Sequence, residues 1–389
     1  MNTINVGVIG VGFIGRWHIE SLRRISGINV MAISEYCQEE ANKWANILNI
    51  PYAYGNWPEL IANPDINVVH ICTPTSLHYE ITKAALLANK HVVCEKPFTL
   101  KPNEAYELMM IAKERQLANA IHLNVRYYPL IHHTREMIKN GDLGRLLMIS
   151  GAYYQDLLVK DTDYNWRMDP QYAEYSRVVS DIGTHWFDAA EFMTNMRVSS
   201  LCADFEIVHE IRKKPLHRVE TYSSKVNASE DYVDVVVKNE DYASMLLRFD
   251  GKVPGTVTLC QTVPGRKNRV YFEIVGEKGT AVFDSERPNE LWIGRRDGNN
   301  EIVMKDPSLL LPTARAITNL PGGHNEGYPD TSKQLFIQFY EHIRNHGTQS
   351  SIQPLFPTFE AGYRQMLLSD AALRSSKSRS WVPINSSQS

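Results

Sequence analysis

The chain has 389 residues, 43% of them apolar and 22% charged, with a formal net charge of −3. At roughly 150 residues per domain this length implies two or three domains, with cores large enough to need no covalent staples. The near-neutral balance offers no basic excess for nucleic acid or an anionic membrane. The five cysteines, Cys37, Cys72, Cys94, Cys202 and Cys260, form an odd, scattered set without a CxxC. That argues against a disulfide framework or a zinc site and fits a reducing compartment. Val6 to Gly15 is apolar but short and glycine-rich, so it reads as neither a secretion signal nor a membrane span. No later stretch approaches the roughly 20 apolar residues of a spanning helix. A soluble, cytoplasmic protein is expected.

The first third alternates short apolar runs with helix-like segments. Strands are predicted at Ile4–Ile9, Val30–Ser34, Val68–Cys72, His91–Cys94 and Ala118–Leu123. Helices are predicted at Trp17–Ile25, Gln38–Leu48, near His78–Ala88 and at Asn103–Arg115. This alternation predicts a doubly wound parallel sheet. Continuous rather than alternating apolarity in Val68–Cys72 suits a strand covered on both faces.

The pattern changes after about Arg126. Leu130–Lys139 reads as a connecting helix, Leu146–Tyr154 as a strand and Val178–Asn195 as a helix. Tyr232–Val237, Ala243–Phe249, Gly255–Gln261, Val270–Val275 and Gly279–Asp284 then read as strands of one large antiparallel or mixed sheet. Its second face needs cover, and the sequence supplies few helices for it, so self-association through this sheet is expected. Asp330–Arg344 and Phe359–Ser375 are predicted helices, and the Ser386–Ser389 tail is expected to fray.

Gly10-Val11-Gly12-Phe13-Ile14-Gly15 matches GxGxxG between a predicted strand and a predicted helix. That context is the one in which the motif binds a dinucleotide. Gly10 permits the tight turn, Gly12 lets the backbone approach a pyrophosphate, and Gly15 allows close helix–strand packing. Free amides at the helix start favour the phosphate charge. Glu35 stands 20 residues after Gly15, at the end of the second strand, where an acid binds the adenosine ribose hydroxyls. A carboxylate there repels a 2′-phosphate and no basic residue adjoins it, so NAD is expected over NADP.

Glu95-Lys96-Pro97 directly follows the strand ending at Cys94, on the edge of the sheet where ligands bind. At this point the sequence resembles the Gfo/Idh/MocA oxidoreductases, the family of glucose–fructose oxidoreductase and inositol dehydrogenase. The resemblance rests on Gly10–Gly15, Thr73-Pro74-Thr75 with His78, Glu95-Lys96-Pro97, and Asp181-Ile182-Gly183-Thr184-His185, in the family's order. It implies an NAD-binding Rossmann-like domain over 1–125, then an α+β domain over 126–389 with a large open, mostly antiparallel sheet. In the family that sheet mediates oligomerisation, which implies a homodimer or homotetramer. The resemblance carries the catalytic lysine to Lys96 and the catalytic Asp/His pair to Asp181 and His185. It also puts Phe13, Ile14, Thr73, Pro74, His78 and Glu95 on the cofactor side, and Asn124 at the entry to the substrate domain. Tyr175-Ser176-Arg177-Val178-Val179-Ser180 departs from the glycine-rich stretch of many members. With Tyr154-Gln155-Asp156, Asn165-Trp166-Arg167 and Gly322-Gly323-His324-Asn325-Glu326-Gly327, it resembles a levoglucosan dehydrogenase-like subgroup acting on pyranose or anhydrosugar hydroxyls.

The residue chemistry agrees. Asp181 and His185 are four apart on a predicted helix and so share a face. Oxidising an alcohol requires a group to take the hydroxyl proton, and imidazole suits this near neutrality. Lys96 can stabilise the developing alkoxide, while Asp181 can orient the ring or bond a sugar hydroxyl; Asp188 competes for the orienting role. Tyr127, Tyr154 and Trp166 offer faces for sugar C–H groups, and Arg126, Arg167 and His324 complete the substrate set. His18 and the His132-His133 pair read as structural or exposed, and no metal is expected. The leading expectation is a dehydrogenase of a sugar, sugar derivative or cyclitol hydroxyl. The alternatives are a glycosidase using NAD transiently and a non-catalytic dinucleotide sensor. Lys96, Asp181 and His185 are expected to converge at the nicotinamide.

Overall fold

A computed structural model describes residues 3–169, 176–216, 231–346 and 354–384. The chain divides into two compact units, Met1–Leu123 with Ser332–Met366, and Asn124–Thr331 with Leu367–Ser389. Tyr175 and the Ser386–Ser389 tail lie outside the described residues.

The first unit is built on β1 (Ile4–Ile9), β2 (Ile28–Ser34), β3 (Tyr52–Tyr54), β4 (Val68–Ile71), β5 (His91–Cys94) and β6 (Asn119–Ile121). Helices α1 (Phe13–Arg23), α2 (Gln38–Leu48), α3 (Trp57–Ala62), α4 (His78–Leu87) and α5 (Pro102–Glu114) alternate with them. The strands lie in the order β3-β2-β1-β4-β5-β6, each parallel to its neighbours. This is the doubly wound order, whose reversal falls between β1 and β4. Every residue of β4 is buried, including its one polar residue, His70. The sequence reading passed over β3 and α3, three and six residues long. A periodicity cannot declare itself in so few positions. Local chemistry fixes α3 instead: the Asn56 side chain accepts from the Glu59 amide at 3.1 Å, and a proline opens the helix.

The second unit begins with α6 (Pro129–Asn140) and β7 (Leu146–Tyr154), followed by a π-helical turn (Val179–Gly183) that runs into α7 (Thr184–Thr194). Then come β8 (Val198–Glu206), β9 (Ile211–Pro215), β10 (Tyr232–Val236), β11 (Tyr242–Phe249), β12 (Val253–Cys260), β13 (Arg269–Gly276), β14 (Thr280–Asp284), β15 (Glu290–Gly294) and β16 (Glu301–Met304). The remaining elements are α8 (Pro312–Ile317), α9 (Tyr328–His346), α10 (Phe359–Ser378) and β17 (Val382–Pro383). Nine strands form one sheet in the order β16-β15-β14-β13-β7-β12-β11-β8-β17. Its β7–β12 pair is parallel and its other pairs antiparallel, so the expected mostly antiparallel sheet is present. One predicted strand belongs elsewhere: Tyr232–Val236 pairs with β9 in a separate two-stranded ribbon. Its composition signals a strand, but its largely exposed residues carry no information about which sheet it joins. Helix α7 lies against the large sheet, with Trp186 stacked on Phe272 at 5.6 Å and its indole N–H donated to the Tyr271 carbonyl at 3.1 Å.

The division read from the sequence at 125/126 assigned residues 332–366 to the second domain. In the structure this segment belongs to the first unit. Phe336, Phe339, Tyr340 and Phe359 are buried, Phe359 lies 4.4 Å from Phe98, and the Ile121 amide donates to the Pro357 carbonyl at 2.9 Å. A return across two hundred residues leaves no local sequence signal. Among the described residues no helix is long and apolar enough to cross a membrane, and all five cysteines are free.

Candidate active site

The glycine turn follows β1. Gly10 takes φ +88, and its amide donates to the Ser34 carbonyl at 2.9 Å. A Cβ on Gly10 would stand 2.8 Å from the Cys72 carbonyl oxygen, and one on Gly15 only 2.0 Å from the Gly10 oxygen. A Cβ on Gly12 would meet no atom within 4 Å. Gly10 and Gly15 therefore serve the turn itself, while Gly12 keeps open the space into which the first amides of α1 face. Glu35 closes the turn from β2: its Oε1 accepts the Val11 amide at 2.5 Å and its Oε2 the Tyr36 amide at 3.4 Å. An open, amide-lined cradle with an acid beside it fits the pyrophosphate and ribose of a dinucleotide. Phe13 is exposed and Ile14 half-buried at the start of the same helix.

Two further loops leave the same sheet edge. Thr73 and Pro74 follow β4, and Glu95, Lys96 and Pro97 follow β5. His78 staples them together, its Nδ1 lying 2.9 Å from the Pro97 carbonyl and its Nε2 2.9 Å from the Thr73 carbonyl. Burial lowers the His78 pKa and outweighs the two carbonyls that raise it. A neutral ring donates to one carbonyl at a time. Lys96 is half-buried and joined to Pro97 by a cis peptide bond.

Glu95 turns into the unit. Its Oε1 lies 2.9 Å from His18 Nε2 and 2.6 Å from His122 Nδ1, and its Oε2 accepts the Lys96 amide at 3.1 Å. His18 Nδ1 in turn meets His70 Nδ1 at 2.9 Å, His70 Nε2 meets the Tyr340 hydroxyl at 2.8 Å, and His122 Nε2 meets the Ser332 hydroxyl at 2.9 Å. All six side chains are buried. His18 was expected to be structural or exposed; it is fully buried and central to this network. Among the described residues, His18, Glu95 and His122 are the one set whose donor atoms could hold a metal.

The second unit carries Asp181 on the π-helical turn and His185 at the start of α7, both buried. The sequence placed both on one α-helix; the wider π turn replaces its first part, and such turns recur at functional sites. The turn is held from the β10–β11 loop. Glu240 accepts the Ser176 hydroxyl at 2.6 Å, the Arg177 amide at 3.0 Å and the Val179 amide at 3.2 Å. Burial raises the Glu240 pKa against those donors. The buried Arg177 side chain pairs with Asp241, which Arg212 also holds at 2.7 Å. Burial pushes the Asp241 carboxyl up, but the two guanidiniums prevail and it ends below its usual range.

Asp181 is fixed on both oxygens. Arg167 lies 3.3 Å from its Oδ1, and Gln261 donates to its Oδ2 at 2.9 Å while also reaching Gln155 Oε1 at 3.0 Å. Arg167 itself stacks over Trp166 at 4.5 Å. This brings Arg167, Trp166 and Asp181 into one cluster, to which the structure adds Gln261, a residue without motif context in the sequence. Tyr153, rather than Tyr154, lies 6.4 Å from the His185 ring. Asp188 is engaged by Arg126 through a bidentate pair, with Nε to Oδ2 at 2.8 Å. Asn124 is buried and donates to the Thr331 hydroxyl at 2.8 Å, Tyr127 is buried, and His324 is exposed. The loop bearing His324 is clamped by a buried Lys305–Glu326 pair at 2.9 Å, with Lys305 also donating to the His324 carbonyl at 2.7 Å.

A doubly wound sheet with a dinucleotide cradle, joined to a second unit carrying a buried Asp/His pair, defines a dinucleotide-dependent oxidoreductase. Residues 4–122 match the oxidoreductase family with an NAD-binding Rossmann fold, and residues 131–282 match the GFO/IDH/MocA C-terminal domain. The chain belongs to the Gfo/Idh/MocA family and is an NAD-binding oxidoreductase. It is 28% identical to a levoglucosan dehydrogenase of Pseudarthrobacter phenanthrenivorans over 99% of both chains. It is 35% identical to an uncharacterised oxidoreductase of Schizosaccharomyces pombe, over 72% of this chain and 75% of that one. A solved levoglucosan dehydrogenase in complex with NADH and L-sorbose superposes with a TM-score of 0.87 at 27% identity, covering 99% of this chain and 100% of that one.

Proposed function

We propose that the protein oxidises a secondary hydroxyl of a sugar, sugar derivative or cyclitol. The observation that carries this reading is the fixed Asp181. A buried carboxylate held by Arg167 and Gln261, four residues before a buried imidazole, is arranged to engage hydroxyl groups. Full-length similarity to a levoglucosan dehydrogenase supports the substrate class.

The dinucleotide, held by the Gly10–Gly15 turn and Glu35, supplies the hydride acceptor. His185 takes the hydroxyl proton, as an imidazole can near neutral pH. The Lys96 ammonium stabilises the developing alkoxide, and Asp181 bonds a neighbouring hydroxyl or directs the ring. Arg167 and Trp166 contribute donors and an apolar face for the sugar. The large sheet leaves Leu246, Trp292, Ile302 and Met304 exposed, which supports self-association through it.

The test is an absorbance screen for NADH formation against inositols, aldoses, methyl glycosides and anhydrosugars. Stoichiometric NADH with one of these classes is the expected result. Glycoside cleavage without net NADH would refute the reading.

A further inference from the structure

Three turns leave the carboxyl edge of the parallel sheet side by side. The glycine turn follows β1, residues 72–77 follow β4 and residues 95–99 follow β5. The first two are in contact: a Cβ on Gly10 would lie 2.8 Å from the Cys72 carbonyl oxygen, and the Cys72 amide donates to the Ile9 carbonyl at 2.8 Å. The second and third start together, with the Glu95 amide donated to the Ile71 carbonyl at 3.0 Å. Glu35, which fits the adenosine ribose, directly follows β2, on the opposite side of the glycine turn. A dinucleotide with its pyrophosphate on that turn therefore extends its nicotinamide half over the turns after β4 and β5.

Each of these two turns carries a proline, Pro74 or Pro97, which fixes one backbone angle but has no N–H to donate to its neighbour. A donor comes from His78, the first residue of α4, whose side chain is buried. Its Nδ1 lies 2.9 Å from the Pro97 carbonyl and its Nε2 2.9 Å from the Thr73 carbonyl. Both partners are carbonyl oxygens, which only accept, so the proton of either bond belongs to the ring. Burial keeps the ring neutral, with one proton for the two carbonyls. In either tautomer the ring stands between the two turns, bonded to one and in contact with the other.

We propose that His78 is a positioning residue that holds the turns after β4 and β5 in register for the nicotinamide half of the dinucleotide. Its side chain needs no contact with the cofactor. Turns already in register bind with less loss of freedom than turns that must be ordered on arrival. Without the ring, that ordering falls on the binding step, and only for ligands that reach beyond the glycine turn. The assignment concerns the cofactor alone, so it stands apart from the hydroxyl oxidation proposed above.

The experiment compares, by calorimetry on the full chain, the dissociation constants of NADH and of ADP-ribose, which is the dinucleotide without its nicotinamide. His78→Phe keeps a ring of similar volume and removes both nitrogens. It should weaken NADH about tenfold and leave ADP-ribose within about twofold. His78→Asn sets an amide donor near the place of Nδ1, and His78→Gln sets one near the place of Nε2. At least one of them should recover NADH binding to within about threefold of wild type. Equal losses of NADH and ADP-ribose in His78→Phe would overturn the proposal, because the damage would then be general. Unchanged NADH binding in that variant would overturn it too, as would recovery by neither amide. Hydrogen exchange on the wild-type protein serves if His78→Phe does not fold. NADH should slow exchange over residues 73–77 and 96–99 together, and ADP-ribose should slow neither. Protection by NADH confined to one of the two segments would overturn the proposal, since turns held by one ring order together. No substrate is needed, so a failure here is distinct from a failed hydroxyl screen.

Discussion

Gly12 and Gly15 stand three residues apart in one motif but should fail in different ways when given a methyl group. A Cβ on Gly15 would lie 2.0 Å from the Gly10 carbonyl oxygen, with backbone on both sides. Neither side can rotate away, so α1 must shift from the turn. Overpacking of this kind costs about 2–3 kcal/mol, which in a unit of this size lowers Tm by about 5–10 °C. A Cβ on Gly12 meets nothing within 4 Å, and the backbone there, at φ −65, accepts any L-residue. Gly12→Ala should therefore keep the wild-type Tm to within about 2 °C or gain slightly from the stiffer unfolded chain. Its methyl group would stand in the space through which a pyrophosphate reaches the amides of α1. Losing one or two charge-assisted hydrogen bonds costs about 1.5–3 kcal/mol, or roughly 10- to 100-fold in NAD affinity. Differential scanning fluorimetry and NAD titration on the two variants test this. NAD binding within twofold of wild type in Gly12→Ala would refute the reasoning, as would a loss of Tm matching that of Gly15→Ala.

Glu35→Ala should erase the preference for NAD over NADP in steady-state kinetics; an unchanged preference would mean that the carboxylate does not read the ribose. Lys96→Ala and His185→Ala should each lose on the order of 10²-fold in kcat with little change in NAD affinity. Near-normal turnover in His185→Ala would remove it as the base. Burial lowers the His18 pKa from 6.5 to about 4, so the unfolded chain binds its proton first as the solution is acidified. The stability this neutral histidine contributes is complete above pH 6.5 and is lost progressively toward pH 4, with roughly 2 kcal/mol gone by pH 5. Urea unfolding between pH 7 and 5 reads that loss, to which His132, lowered by burial and by Arg126 and Arg135 to about 3, adds in the same direction. Light scattering at low concentration should give an oligomer, and a monomer alone would count against association through the large sheet.

Legibility in the sequence followed the length over which a signal repeats. Continuous rather than alternating apolar runs such as Val68–Ile71, interrupted by His70 alone and bounded by helical periods, declared the parallel sheet. Gly10–Gly15 and Glu95-Lys96 could be placed because each directly follows such a strand. The two-stranded ribbon was not separable from the large sheet, because alternation reports a strand and not its partner. The same limit hid the return of residues 332–366, whose buried face is written in the sequence but whose destination is not. At the candidate site, Asp181 and His185 were singled out by the family resemblance together with their four-residue spacing. The π turn was not, because it is imposed by Glu240 from some sixty residues away. Gln261 ends a predicted strand like many other polar residues, and only tertiary pairing with Asp181 distinguishes it. His18 and His70 are single polar residues within apolar segments, a pattern equally consistent with exposure.

The charges buried in the second unit show what this local frustration accomplishes. Arg177, Asp241 and Arg212 are each fully buried, and an ion triad of that kind adds little net stability over well-packed apolar side chains. Its geometry is what apolar groups could not reproduce. Arg177 leads directly into the π turn, its amide is held by Glu240 and its side chain by Asp241 and Asn239. The backbone before Asp181 is thus fixed at both amide and guanidinium, and Asp181 is then fixed at both oxygens by Arg167 and Gln261. Under the function proposed above, a carboxylate that engages hydroxyl groups gains from such restraint, because groups already in place need no reordering when substrate arrives. Losing one guanidinium would therefore act twice, leaving Asp241 underpaired in a dry interior and releasing the turn that aims Asp181. Arg177→Met should accordingly cost more in turnover than its distance from the chemistry suggests.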